Sequence, residues 1–201
     1  IIDTIPVVGV VGNMMLWASG VDIGEGNKSF IRNALGDDFQ DTWSLAEFLY
    51  ESHKEFFLLP SDIAVEVDGN RVAMNVSELP TKYPIYDIGI STLQEIRPLM
   101  INAGCILWNG PASYFELPGF AFGTIEILNM CTESSAVTIV GGGHTSSLVS
   151  NRGVSDSVTH NSTGGGACLT MLSGGSMPVI ESLNKSNDKF RSLLPSLELD
   201  N

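Results

Sequence analysis

Basic residues are scarce in this chain. Its 201 residues include ten Lys and Arg against 23 Asp and Glu, a formal net charge of −13, and the isoelectric point is near 4.4. Such a balance repels phosphate backbones and anionic headgroups, which argues against nucleic acid and membranes as partners. Cysteine is also sparse. Cys105, Cys131 and Cys168 lie without paired spacing in or beside apolar segments, so they are expected to be buried free thiols in a reducing, cytoplasmic compartment. No apolar run reaches the roughly 18 residues that a membrane-spanning helix needs. Ile1-Ile2-Asp3 has neither an initiator Met nor the charged and apolar regions of a signal peptide, and reads as the start of a fragment. A G-x-G-x-x-G turn after the first strand is missing too, which weakens a dinucleotide-binding dehydrogenase as a reading.

What is present is enough apolar material, 43% of residues with 8% aromatic, for one sizeable core. Ile5 to Val11 is a continuous apolar run of the kind buried on both faces of a parallel sheet. Helical patterns follow over Met14–Ala18, Asn27–Leu35 and Asp41–His53. Glu55–Leu59 is the next predicted strand, stopped by Pro60. Ile63–Val67 and Arg71–Asn75 flank Asp68-Gly69-Asn70, a strong hairpin signal. Strand and helix then alternate: Ile85–Gly89, Ser91–Ala103, Cys105–Trp108, Phe120–Cys131, Ala136–Val140, a short helix from Thr145, an extended piece near Val158, and a helix over Gly165–Leu172. The order predicts an α/β fold: a Rossmann-like parallel sheet with helices on both faces, a three-layer sandwich, and a small flanking β-hairpin. Residues 1–184 form the expected domain. Residues 185–201 form a tail, partly ordered at best, with a weak helical pattern around Phe190 to Leu194.

The most informative stretch is Thr159-His160-Asn161-Ser162-Thr163-Gly164-Gly165-Gly166-Ala167-Cys168-Leu169. Small hydroxyl residues lead into three glycines and then a helical pattern. Ser162 or Thr163 is expected to cap that helix, and bare amides at its start suit a phosphate. Three glycines also serve a tight strand-to-helix connection. A second such turn, Gly141-Gly142-Gly143-His144-Thr145, follows the strand Ala136–Val140. Turns of this kind in an open parallel sheet gather at the carboxyl ends of the strands, where ligands bind.

Together, Trp108-Asn109-Gly110-Pro111 followed by Phe115-Glu116, Gly141-Gly142-Gly143-His144-Thr145, Ser162-Thr163-Gly164-Gly165-Gly166-Ala167 and Met177-Pro178-Val179-Ile180-Glu181 resemble the carboxyl-terminal, nucleotide-binding half of phosphoglycerate kinase over about Ile5 to Leu183. The resemblance implies reversible phosphoryl transfer between 1,3-bisphosphoglycerate with ADP and 3-phosphoglycerate with ATP, in glycolysis. It places Gly9, Gly12 and Met14 in the wall of the adenine pocket, with Leu59-Pro60 and Asp62 beside it. Asn109, Gly110 and Pro111 fall near base and ribose, and Glu116 falls on the ribose hydroxyls. Gly142, Gly143, His144, Thr145 and Ser162 fall near the nucleotide phosphates. Thr163, Gly164, Gly165 and Gly166 face the phosphoryl group in flight, whose spread charge calls for prealigned donors. For Glu116 a solvated loop acid, and for Asp62 a structural turn acid, remain open readings.

Departures from the family pattern are informative. His144 stands where many members have an acid, as in the archaeal branch. An imidazole is a poor ligand for Mg²⁺, so the metal is expected on the nucleotide phosphates, with no metal ligand in this chain. His160 is expected to have a partner inside the fold. Asn13 replaces a glycine and Ile90 a proline. The basic cluster that holds phosphoglycerate, the lysine of a GGAKV turn, and a strand and helix before Ile1 are all lacking, and Arg152 is the only basic residue near a glycine turn. The chain is therefore expected to bind nucleotide weakly and to catalyse nothing alone, 3-phosphoglycerate being held by an amino-terminal domain. The alternative is a non-catalytic nucleotide-binding module that works through a partner chain.

Overall fold

Gly9 splits the first apolar run. Its φ of +62° lies in the left-handed region that glycine tolerates best, and the chain turns there from strand β1 (Ile5–Pro6) into helix α1 (Gly9–Ala18). Val10 and Val11, expected in a strand, instead occupy the first turn of α1 and are exposed. The computed structural model describes residues 2–191.

Helices α2 (Glu25–Leu35) and α3 (Phe39–His53) follow. Helix α3 packs on α1 through Trp17, which lies 4.1 Å from Trp43 and 5.9 Å from Phe39, centroid to centroid, and α2 sets Arg32 over the same ring at 5.0 Å. The next strand is shorter than expected, because a turn of 3₁₀-helix takes Lys54–Phe56 and leaves β2 at Phe57–Leu58. The hairpin is as read, with β3 (Asp62–Val67) and β4 (Asn70–Asn75) antiparallel in unbroken register. Strand β5 (Ile85–Ile88) joins the other edge of β3, also antiparallel. The apolar run at 85–88 thus belongs to the hairpin sheet and not to the parallel one.

Helix α4 (Ile90–Ile101) leads to β6 (Cys105–Asn109), then α5 (Phe122–Glu133), β7 (Val137–Gly141), α6 (Gly143–Asn151) and β8 (His160–Asn161). Strands β6, β7 and β8 form a parallel sheet in that order, and β1 and β2 form a second parallel pair. The α/β architecture with helix-flanked parallel strands is therefore as expected. Helices α7 (Gly166–Leu172) and α8 (Pro178–Phe190) complete the described residues. Phe190 ends α8, whereas the rest of the pattern read toward Leu194 lies outside them.

Two apolar cores result. Alternate residues of β6 and β7, Ile106, Trp108 and Val140, pack with α4, α5 and Val149 of α6, while Val7, Leu16, Ile31, Ile63 and Val65 form the other core. The opposite face of β6 and β7 is bare: Leu107 is 47% and Val137 50% exposed. Among the described residues, no strand pairs with the outer edge of β6 or with the second edge of β1. Cys105 lies on that bare face and is exposed, and Cys168 is half-buried. Only Cys131 is a buried thiol, pushed up to about 12 by burial.

Candidate functional site

The glycine turns form a connected row. A Cβ added to Gly9 would lie 2.7 Å from the Pro111 carbonyl oxygen, so the tip after β1 sits directly on the tip after β6. Gly110, at φ +88°, donates its N–H to the Gly141 carbonyl at 3.4 Å. Gly142, at φ +93°, holds the cap position just before α6, and a Cβ on Gly165 would be 4.0 Å from the Gly142 Cα. Parallel strands deliver their carboxyl ends to one side of a sheet, and a side chain on Gly9 would push its tip off Pro111.

Beside this row runs a groove of about 690 Å³, lined by Gly9, Asn13, Tyr86, Pro111, Tyr114 and Glu116, among others. That volume suits a small-molecule ligand. The turn that forms one wall is held from below: Thr124 Oγ1 accepts the Ala112 N–H at 3.1 Å and lies 2.6 Å from Ser113 Oγ. Glu116 turns toward the row, its Oε1 3.9 Å from His144 Nδ1, and the His144 ring meets Phe115 edge-on at 6.3 Å.

Not every expected residue presents itself to this space. Gly12 and Met14 are buried, Met14 in the core of α1 to α3. A Cβ on Gly12 would strike the Val7 carbonyl at 2.8 Å, so this glycine serves close packing. The Thr145 hydroxyl is directed into the turn, donating to the Gly141 and Gly142 carbonyls. Asn109 flanks Gly141 in register. Gly143 is the first residue of α6. Thr163, Gly164 and Gly166 are exposed, next to half-buried Ser162 and Gly165. Neither Ser162 nor Thr163 caps α7. Gly165 holds the cap position, and Ser162 Oγ instead accepts the Gly164 N–H at 3.3 Å. His160 is exposed and pairs with Ile139 through the β8 backbone, and its side chain makes no hydrogen bond or ion pair among the described residues.

Two carboxylates near the groove have structural work. Burial acts to raise Asp62, but the N–H groups of Thr92 and Ser91 and the Thr92 hydroxyl outweigh it and hold its carboxyl below the usual range. Asp62 thereby satisfies the start of α4. Burial raises Asp87 to about 6 despite the Gly123 N–H, the Arg71 guanidinium 3.3 Å away and the Ile88 N–H.

Cations are few at the glycine row. Arg152 caps the carboxyl end of α6, about 13 Å along the helix from Gly143 at 1.5 Å per residue, so it is not close to the turn. Lys82 lines the groove. Sequence reasoning missed it, together with Tyr86 and Tyr114, because they arrive from the hairpin sheet and a loop and carry no local signature. Among the described residues no cluster of three or more His, Cys, Asp or Glu is placed to hold a metal ion. His144 and Glu116 alone do not make an oxygen-rich Mg²⁺ site. No helix of the described residues is long and apolar enough to cross a membrane.

The family described as phosphoglycerate kinase matches residues 1–175. The phosphoglycerate kinase of Methanopyrus kandleri is 39% identical over 175 residues, 87% of this chain and 42% of its own length. That of Methanobacterium bryantii is 39% identical over 189 residues, 94% of this chain and 45% of its own. The crystal structure of phosphoglycerate kinase from Pyrococcus horikoshii OT3 superposes with a TM-score of 0.83 at 32% identity, covering 94% of this chain and 46% of that one. The chain thus spans less than half the length of these relatives.

Proposed function

We propose, for a chain that belongs to the phosphoglycerate kinase family, that it is the carboxyl-terminal, nucleotide-binding part of an archaeal-like cytoplasmic enzyme, with residues 1–184 as the domain and 185–201 as its tail. The observation that carries this is the row of turn tips, with Gly9 against Pro111, Gly110 hydrogen-bonded to Gly141, and Gly165 beside Gly142. The base of ADP or ATP lies in the groove beside Gly9 and Pro111, and Glu116 accepts from the ribose hydroxyls. The phosphates run past Gly142, Gly143 and His144 toward Thr163, Gly164, Gly165 and Gly166, where main-chain amides face the phosphoryl group. Mg²⁺ belongs to the nucleotide complex as substrate, its oxygen ligands coming from the phosphates and water.

In the intact enzyme a phosphoryl group passes from 1,3-bisphosphoglycerate to ADP. This chain contributes nucleotide positioning and neutral hydrogen-bond donors to a transition state whose charge is spread over the equatorial oxygens. Full positive charge has to come from elsewhere, because Arg152 stands off at the far end of α6. The remaining half, carrying the 3-phosphoglycerate site, supplies it by closing over the nucleotide and excluding water. The unpaired edges of β1 and β6 and the bare face at Leu107 and Val137 support this reading, since parallel strands are normally covered on both faces.

A coupled assay tests it. The chain alone is expected to show no turnover, and adding a separately produced amino-terminal half of an archaeal relative is expected to restore it. Turnover by the chain alone would contradict both this reading and a non-catalytic module, whereas none in the mixture despite complex formation would leave the second reading, a nucleotide-binding module serving another partner.

A further inference from the structure

Asn13 is the polar side chain that α1 contributes to the groove. It sits one turn into the helix, half-buried, between buried Gly12 and Met14. Its Nδ2 points to the Ile85 carbonyl at 3.5 Å. Ile85 is itself fixed, because its N–H donates at 3.0 Å to Asn27 Oδ1, while Asn27 Nδ2 donates to the Ile23 and Tyr83 carbonyls at 2.9 and 3.0 Å. Asn27 thus fixes Ile85 of β5 through the Ile85 N–H, and Asn13 Nδ2 faces the carbonyl of the same residue at the long end of hydrogen-bond distance. Turning the Asn13 amide over would set Oδ1 against the Ile85 carbonyl, two acceptors facing each other. The orientation that keeps Nδ2 on Ile85 leaves Oδ1 as an acceptor.

We propose that Asn13 is a specificity-determining residue that favours a purine carrying an amino group at position 6 over one carrying a keto oxygen there. This rests on the nucleotide reading of the groove and sharpens it. A free amide reads adenine by accepting from its 6-amino group and donating to an adjacent ring nitrogen acceptor, and at the N1 edge, where a 6-keto purine carries N1–H beside its oxygen, the flipped amide would pair with that base instead. Here the flip costs the contact to Ile85, so a 6-keto oxygen meets an acceptor and loses a hydrogen bond on desolvation. Tyr86 and Tyr114, edge to face at 5.2 Å on the groove wall, supply aromatic surface that does not distinguish the two bases. Selection thus falls to the amide. Ala at position 13 keeps a good helix former in α1, so the variant folds.

Calorimetric titration of this chain with ADP and with inosine diphosphate, which differ at position 6 of the base, tests the proposal. Wild-type chain is expected to bind ADP roughly tenfold more tightly, and Asn13→Ala to bring the two ligands together by weakening ADP, with an unchanged circular dichroism spectrum. Equal binding of both ligands by the wild type overturns the role of Asn13 while leaving the nucleotide site standing. So does a preference that survives in Asn13→Ala. Failure of the wild type to bind either ligand overturns the nucleotide site, and the selection with it.

Discussion

The Nδ1 of His144 lies 3.9 Å from Oε1 of Glu116, joining the turn after β7 to the loop that follows β6. Glu116 lies beside the glycine row and at the edge of the groove, where two neighbouring hydroxyls of a ribose could share its carboxylate. Replacing it by Gln keeps the shape and removes the charge. Glu116→Gln is expected to weaken ADP by roughly tenfold, the worth of a charge-assisted hydrogen bond. It should leave 2′,3′-dideoxy-ADP unaffected, as competition calorimetry would show. Equal losses for both ligands would place Glu116 away from the ribose.

Gly142 tests the row itself. At φ +93°, with a Cβ that would lie 2.9 Å from Thr145 Oγ1 and 3.4 Å from the Gly110 nitrogen, it has no room for a methyl group. Gly142→Ala is expected to cost about 1–3 kcal/mol in urea unfolding and to abolish measurable ADP binding even at temperatures where the variant remains folded.

Asp62 accepts from Ser91 N–H at 2.9 Å, Thr92 N–H at 2.7 Å and Thr92 Oγ1 at 2.8 Å, and is nearly buried. Asp62→Ala leaves those donors without a partner and is expected to destabilise the fold by about 2–3 kcal/mol. Its depressed acidity gives the sign: the stabilisation is present above the ordinary carboxylate range and fades as pH falls through the lower folded value. The gap between wild type and variant, measured by urea titration, should therefore shrink at strongly acidic pH.

Asp87 behaves in the opposite sense. Its carboxyl is raised to about 6 by burial, so the folded state holds a proton that the unfolded chain releases near 4. Its contribution is fully present below pH ~4 and is lost as pH rises through 6, amounting to about 3 kcal/mol. Asp87→Asn does not titrate and still offers an oxygen to the Gly123 N–H. Relative to this variant, wild type is expected to gain melting temperature as pH drops from 7 to 4.5. A constant difference across that range would show Asp87 to be ionised throughout.

Much of the site was written locally. Gly9, Gly110, Gly142 and Gly165 all adopt positive φ, so the backbone requirement that brings the tips together is carried by residues visible one at a time. The groove walls were less legible. Tyr86 belongs to β5, whose apolar run matches a buried parallel strand although its partner is the antiparallel hairpin. The run through Val11 likewise hid a helix start, because valine on an exposed first turn carries the same hydropathy as valine in a strand. Cys105 follows the alternation of β6 onto an uncovered face, which composition alone does not reveal. Helix α8 leaves Val179, Ile180 and Leu183 exposed, so little apolar burial marked it as regular structure.

Amide shifts of the ¹⁵N-labelled chain during titration with ADP test the shared nucleotide cleft most directly. Saturable shifts are expected together at Gly9, Gly110, Gly142, Gly143 and Gly165 and at Glu116, with NAD producing none at the same concentrations. Shifts confined to one of these turns, scattered over unconnected surfaces, or equal for NAD would contradict it.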